Sequence, residues 1–260
     1  SNKLNIGGTP PIEISKGKII DDFVYEMPVA SAQVKSSIIL AAIAAKKGVT
    51  IIEKNPTRNH TERMIEYFKG NIEISPIWWN NSDSKYMWDE FKTPNKFMGN
   101  KISYKYKELT CPEHYEVVGD FSSASFLIVA GLISKSGKLK IKNVGLNPSR
   151  TGFYKILKKQ KASLKFINLK KSNNEISGDI LVKSCKLKPI KTAASLYPST
   201  TDEYLLLFLI ASLQKGISVF KGISDLANKE SSRAHEMKKI LNQIGVKCVL
   251  KKDEMKIYGK

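Results

Sequence analysis

A chain of 260 residues with 42% hydrophobic content is long enough to bury one large core or two smaller ones, and 26% charged residues is the ordinary share of a globular protein. The longest apolar run, residues 204–213, is too short to cross a bilayer, and no basic-then-apolar leader opens the chain. The formal net charge of +19 comes mostly from scattered lysines. It fits a solvated lysine-rich surface, an anionic small substrate or a nucleic-acid partner, and charge alone does not choose among them. Cys111, Cys185 and Cys248 are far apart, lack metal-ligand spacing and fit a reduced, cytoplasmic setting.

Taken in chain order, the elements fall into three copies of one pattern. The first copy opens with Ala30-Ser31-Ala32-Gln33 and an apolar helix over 37–45, then Gly48 and the β-like Val49-Thr50-Ile51-Ile52. A polar loop, Asn55-Pro56-Thr57-Arg58, precedes a helical pattern around Met64, Tyr67 and Phe68, which Gly70 ends before the strand-like Asn71-Ile72-Glu73-Ile74. Residues 76–110 interrupt the pattern with Trp78, Trp79 and Trp88 among Asn, Lys and Tyr. This stretch reads as two or three strands with a long hairpin, or as aromatics that stack nucleic-acid bases. Cys111-Pro112-Glu113-His114 reads as a crossover into the next copy.

The second copy begins at Gly119-Asp120-Phe121-Ser122-Ser123 and runs through an apolar helix over 126–133 to Gly137 and a strand, Leu139-Lys140-Ile141. Its polar loop is Asn147-Pro148-Ser149-Arg150, its second helix carries Phe153, Ile156 and Leu157, and its closing strand lies near 164–166. The third copy begins at Thr200-Thr201-Asp202, with a helix over 204–213, Gly216, a strand over 217–220 and the loop Lys229-Glu230-Ser231-Ser232-Arg233. A second helix around Met237, Ile240 and Leu241 ends at Gly245, before a strand over 246–250.

Each copy therefore reads helix, strand, helix, strand. Ser, Thr and Asp at the helix starts are expected as N-caps, and the glycines after each first helix as left-handed C-caps. The first helices are apolar nearly all round and should be buried; the second are amphipathic and should lie outside. Helix N-termini attract anions through their free N–H groups and dipole. Several such ends facing one cleft would bind a phosphorylated or carboxylated ligand, although capping alone accounts for Ser122 and Ser123. The loop 229–233 fits an exposed cap or a phosphate grip made of Lys229 and Arg233. Asp202 fits an N-cap or a cleft-facing general base.

At these residues the sequence resembles 5-enolpyruvylshikimate-3-phosphate synthase (3-phosphoshikimate 1-carboxyvinyltransferase). The matching segments are Ser31-Ala32-Gln33-Val34-Lys35-Ser36, Arg58-Asn59-His60-Thr61-Glu62-Arg63-Met64, Gly119-Asp120-Phe121-Ser122-Ser123-Ala124, Asn147-Pro148-Ser149-Arg150-Thr151-Gly152, Asp202-Glu203 and Lys229-Glu230-Ser231-Ser232-Arg233. They stand in the family's order over essentially the whole chain. The resemblance implies an α/β (α+β) fold of repeated βαβαββ-type units in two lobes with the site between them. Residues 1–115 would be part of one lobe and 116–260 part of the other. It implies transfer of the enolpyruvyl group of phosphoenolpyruvate to the 5-hydroxyl of shikimate 3-phosphate, with no cofactor and no metal.

The implied roles are specific. Ser31, Ala32 and Gln33 would hold the shikimate ring or its phosphate, and Thr57 and His60 would add contacts to the phosphorylated ligand. Asp202 would take the proton of the attacking hydroxyl, and Lys229 would contact the shikimate substrate. Glu230 would serve proton transfer at the methylene carbon, and Arg233 would bind the phosphate of phosphoenolpyruvate. The reaction adds an alcohol across an enol ether and eliminates phosphate, so it needs a base, an acid and cations at the leaving group.

The chain departs from the family pattern in lacking the N-terminal Gly-Ser-Lys-Ser segment with its catalytic lysine, the arginines of the next unit and the C-terminal Asp-His-Arg segment. Thr57, Asn59 and Ser232 stand where serine, aspartate and aspartate are usual. The expectation is that these 260 residues bind substrate weakly or not at all and turn over only with N- and C-terminal segments supplied. The alternatives are a nucleotide-sugar enolpyruvyl transferase, whose cysteine-bearing loop is not found here; a basic nucleic-acid-binding or RNA-phosphate-processing relative on the same repeat; and a non-catalytic relative.

Overall fold

The computed structural model describes residues 17, 20–79, 96–227 and 232–260. The first repeat comprises β1 (Phe23–Glu26), α1 (Ala32–Ala44), β2 (Val49–Glu53), α2 (His60–Tyr67), β3 (Asn71–Trp79) and β4 (Lys96–Lys105). Its sheet runs β1-β2-β4-β3; β1 lies parallel to β2 and the remaining pairs are antiparallel. The second repeat holds α3 (Phe121–Ile133), β5 (Lys138–Gly145), α4 (Gly152–Lys159), β6 (Leu164–Ser172) and β7 (Glu175–Lys183) in the order β5-β7-β6. A parallel bridge from Gly119 to Val144 takes the place of a leading strand. The third repeat has β8 (Lys191–Thr192), a 3-10 turn Thr201–Glu203, α5 (Tyr204–Ser212), β9 (Gly216–Lys221), α6 (Arg233–Gln243), β10 (Lys247–Lys251) and β11 (Glu254–Gly259). Its sheet runs β10-β11-β9-β8 with β8 parallel to β9.

The three sheets share one plan: a parallel lead, then a strand whose other edge takes the last strand of a hairpin. The helix–strand–helix–strand reading is thus completed at both ends, giving the expected βαβαββ unit. The hairpin β6–β7 closes through Asn173 and Asn174, whose φ of 53° and 59° suit a type I′ turn.

Apolar side chains divide between two clusters. One, around Ile39, Ile51, Ile65, Ile102 and Tyr104, belongs to the first repeat. The other runs without a break through the second and third repeats, from Phe121 and Phe153 to Phe208, Phe220 and Ile257. Of the three first helices only α5 is buried nearly all round. The expectation fails for the others: α1 leaves Leu40 exposed and α3 leaves Phe126 and Leu127 exposed. α5 has α3 and α6 beside it and β11 beneath it, whereas α3 packs one face on α5, β5 and β7. The second helices behave as amphipathic helices do; α4 buries Phe153, Ile156 and Leu157 and carries Lys158 and Lys159 in its last turn, where they complement the dipole.

The caps differ in detail. Ser31 caps α1, its Oγ accepting from Val34 N at 3.3 Å, but Asp120 and not Ser122 or Ser123 caps α3. Among the glycines proposed as left-handed C-caps of the first helices, Gly48 does not have positive φ, and Gly137 and Gly216 (φ 119° and 127°) lie outside the left-handed helical well. Lys46 takes that conformation after α1 instead (φ 56°), and Gly245 (φ 77°) takes it after α6. In the interrupting stretch, β3 and β4 pair antiparallel with an irregularity at Ile77 and Trp78. Half-exposed Trp78 meets Phe97 edge-to-face at 5.5 Å; Trp88 lies outside the described residues.

Candidate active site

Two polar segments of the first repeat lie close together because α1 and α2 are tied at their starts: the hydroxyls of Ser36 and Thr61 are 2.7 Å apart. Ser31, Ala32 and Gln33 occupy the opening turn of α1, with Gln33 exposed. The loop between β2 and α2 carries Thr57 and Arg58, whose side chains go to different places. The backbone N–H of Thr57 donates to Glu53 Oε1 at 2.8 Å and its hydroxyl donates to the same oxygen. Arg58 reaches out of the repeat and donates through Nη2 to Asp202 Oδ2.

Asp202 is where the repeats converge. It sits in the 3-10 turn before α5 and does not cap that helix; Glu203 holds the cap position without a side-chain capping bond. Its Oδ1 lies 3.6 Å from Arg233 Nη1 at the start of α6. Arg150, from the second repeat's polar loop, contributes charge nearby. Arg150 Nη2 is 2.9 Å from Asp120 Oδ1 and donates to Ser122 Oγ at 2.7 Å, and Ser122 in turn donates to Glu203. One arginine from each repeat therefore surrounds a single pair of adjacent carboxylates.

The two carboxylates are tuned in opposite directions. Partial burial pushes the Asp202 carboxyl up, but the Arg58 hydrogen bond and the charges of Arg58, Arg150 and Arg233 outweigh it and hold the pKa below the usual value. Burial pushes Glu203 up, and the bond from Ser122 only partly offsets this. Asp202 is thus a carboxylate held ionised by displaceable cations.

His60 opens α2 but faces the second repeat: its Nδ1 lies 2.6 Å from Glu175 Oε1 at the start of β7. Glu175 also accepts from Asn147 Nδ2 and lies 3.7 Å from Arg63, which itself donates to Asn174 O at 2.9 Å. Among the described residues no hydrogen bond or ion pair joins Ser31, Gln33 or His60 to Asp202 or its arginines. Lys229 and Glu230 lie outside the described residues. Ser232 sits at the N-cap of α6, but its hydroxyl meets His235 Nδ1 at 2.7 Å and not the backbone. No group of three His, Cys, Asp or Glu among the described residues is placed to hold a metal ion, and no described helix is long and apolar enough to cross a membrane.

From the sequence alone, Arg58, Arg150 and Glu203 have no assigned role and Ser122 only that of a cap. The signal was present: the three polar loops each carry an arginine at the start of the outer helix, Arg58, Arg150 and Arg233.

A repeated βαβαββ unit is the architecture of the enolpyruvyl transferases. One of these, NikO from Streptomyces tendae, superposes over 88% of this chain with a TM-score of 0.57 at 12% identity, a likeness of fold alone. The model of the EPSP synthase (3-phosphoshikimate 1-carboxyvinyltransferase) family matches residues 3–80 and 96–260, and the chain belongs to that family. It is 39% identical over 253 residues to the 3-phosphoshikimate 1-carboxyvinyltransferase of Petrotoga mobilis, covering 97% of this chain and 54% of that protein. The Listeria monocytogenes protein of the same name is 35% identical over 96% of this chain and 53% of its own length. A solved EPSP synthase from Acinetobacter baumannii matches with a TM-score of 0.78 and 33% identity, over 97% of this chain and 52% of that one. The chain spans about half the length of the curated relatives it matches.

Proposed function

We propose that this chain forms about half of an active site that transfers the enolpyruvyl group of phosphoenolpyruvate to the 5-hydroxyl of shikimate 3-phosphate and releases phosphate. The observation that carries the reading is the meeting of Arg58, Arg150 and Arg233, one from each repeat, around Asp202. Arginine suits phosphate and carboxylate through its planar fork, and both substrates present such groups. Asp202 takes the proton of the hydroxyl that attacks C2 of phosphoenolpyruvate, Glu230 serves the proton added at the methylene carbon, and Arg233 holds the phosphate that leaves. Lys229 and the opening turn of α1, Ser31, Ala32 and Gln33, hold the shikimate ring or its phosphate, with Thr57 and His60 beside them.

The geometry suggests how binding and catalysis are linked. Arg58 and Arg233 rest on Asp202 and hold its pKa down. An incoming anion competes for the arginines, and as they leave, the Asp202 pKa rises toward that of a useful base.

The lobe boundary falls near residues 115 and 116 in this reading, which the separate apolar clusters of the first repeat and of the second and third support. Segments equivalent to the remainder of the longer relatives complete the site, and the protein works in the cytoplasm, in keeping with three free cysteines. The test is calorimetric titration with shikimate 3-phosphate, then with phosphoenolpyruvate, followed by phosphate release with and without the complementary half of a relative. Weak binding alone and turnover on complementation support the reading. RNA outcompeting shikimate 3-phosphate, with a steep salt dependence, overturns it.

A further inference from the structure

The loop that carries Thr57 borders a cleft of about 310 Å³, which Lys35, Glu53, Glu62 and Asn147 line together with Ile74 and Ile102. Glu53 binds the loop through the N–H and the hydroxyl of Thr57, both on one carboxylate oxygen. Glu53 is itself buried at the end of β2, and its second oxygen meets Asn100 Nδ2 at 3.4 Å.

Burying a carboxyl group is costly unless it has a partner, and Lys35 supplies one. Its Nζ lies 3.0 Å from Glu53 Oε1 and 2.7 Å from Glu62 Oε1, with all three side chains 3% exposed or less. Lys35 stands one turn into α1, Glu53 ends β2 and Glu62 lies in the first turn of α2. One ammonium thus joins the helix that opens with Ser31 and Gln33 to the loop that carries Thr57 and Arg58.

We propose that Glu53, held by Lys35, is a positioning residue that sets the Thr57 loop against the α1 N-terminus and so shapes the pocket for the phosphorylated substrate. This rests on the reading that this loop faces shikimate 3-phosphate. Glu62 shares the same ammonium and the same burial but does not touch Thr57.

The test compares two isosteric changes in the full 260-residue chain. Glu53→Gln and Glu62→Gln each remove one negative charge from the same buried cluster and each leave Lys35 one carboxylate. Amide hydrogen exchange at Thr57 by NMR and titration with shikimate 3-phosphate are the readouts. Glu53→Gln accelerates Thr57 exchange at least about tenfold and weakens binding by a similar factor, as loss of charge-assisted hydrogen bonds does. Glu62→Gln breaks its pair with Lys35 but no bond to Thr57, so its effect on Thr57 exchange is at least about threefold smaller than that of Glu53→Gln. If Glu53→Gln does not fold, Glu53→Asp keeps the charge, shortens the reach and still loosens Thr57. Equal effects of Glu53→Gln and Glu62→Gln, or an unchanged Thr57, overturn the proposal. If no form of the chain alone binds shikimate 3-phosphate, Thr57 exchange decides the positioning claim, and the functional reading is decided separately by turnover on complementation.

Discussion

Thr57 and Arg58 are neighbours in one loop, yet they end in two charged clusters of opposite character. Thr57 is bound inward to the sealed set of Lys35, Glu53 and Glu62. Arg58 is bound outward to Asp202, in a cluster where both side chains keep about a third of their surface open to solvent. In the buried cluster each charge depends chiefly on the others, because the three side chains are 3% exposed or less. In the open cluster water and ligands can replace any partner, so individual pairs contribute little to stability and can exchange. One loop is thus anchored on one side and available on the other, which is what a rigid site with displaceable cations requires.

The contrast breaks most sharply at Asp202. Asp202→Asn, complemented by the remaining half of a relative, is expected to lower phosphate release by about 10²–10⁴-fold, the usual yield of a positioned general base. Its urea midpoint is expected to stay close to that of the parent. A large stability loss with turnover intact would show that Asp202 is an architectural residue.

Lys35→Met should do the reverse. It leaves two buried carboxylates without a cation, and removing one partner of a buried ion pair costs about 3–5 kcal/mol. Urea denaturation monitored by circular dichroism measures it. A loss near that of a surface lysine would mean that the cluster is hydrated and not sealed.

The smallest effect lies in pH dependence. The pKa of Glu203 is raised in the folded protein, chiefly by burial. Between its unfolded value near 4.5 and the higher folded value, the folded state binds more protons, so stability falls as pH rises through that window. Glu203→Gln should remove this slope. Asp202 is shifted the other way, so its contribution is present above its unfolded pKa near 3.8 and is lost as pH falls through the lower folded value. The two windows do not overlap, and stability curves of the Glu203→Gln and Asp202→Asn variants against pH separate them. A parent curve flat above pH 4.5 would contradict the burial of Glu203.

Much of the fold was legible because its signals are local. The three copies show as recurring runs of apolar residues, glycines and polar loops, and Ser31 caps its helix as its side chain and position suggest. The closing strands β7 and β11 were harder to see, since Ser177-Gly178-Asp179 interrupts the apolar pattern of β7 and β11 is only six residues long. Asp202 and Arg233 were legible as site candidates and do meet. Arg58 and Arg150 were written in the matching segments but carried no assignment, because the direction of a loop side chain depends on how separate repeats dock. His60 shows the same limit: its place in the segment suggested the ligand, and its ring rests on Glu175 from another repeat.

By itself the sequence determined the repeat, the family and the chemical types gathered at the loops, since spacing, capping and residue chemistry are properties of short stretches. Only the tertiary structure decided which lysine among many lies buried between two glutamates, and which arginines share one aspartate. Those outcomes depend on contacts between residues up to 144 positions apart, whose free energy comes from desolvation and charge pairing that no short stretch of chain contains.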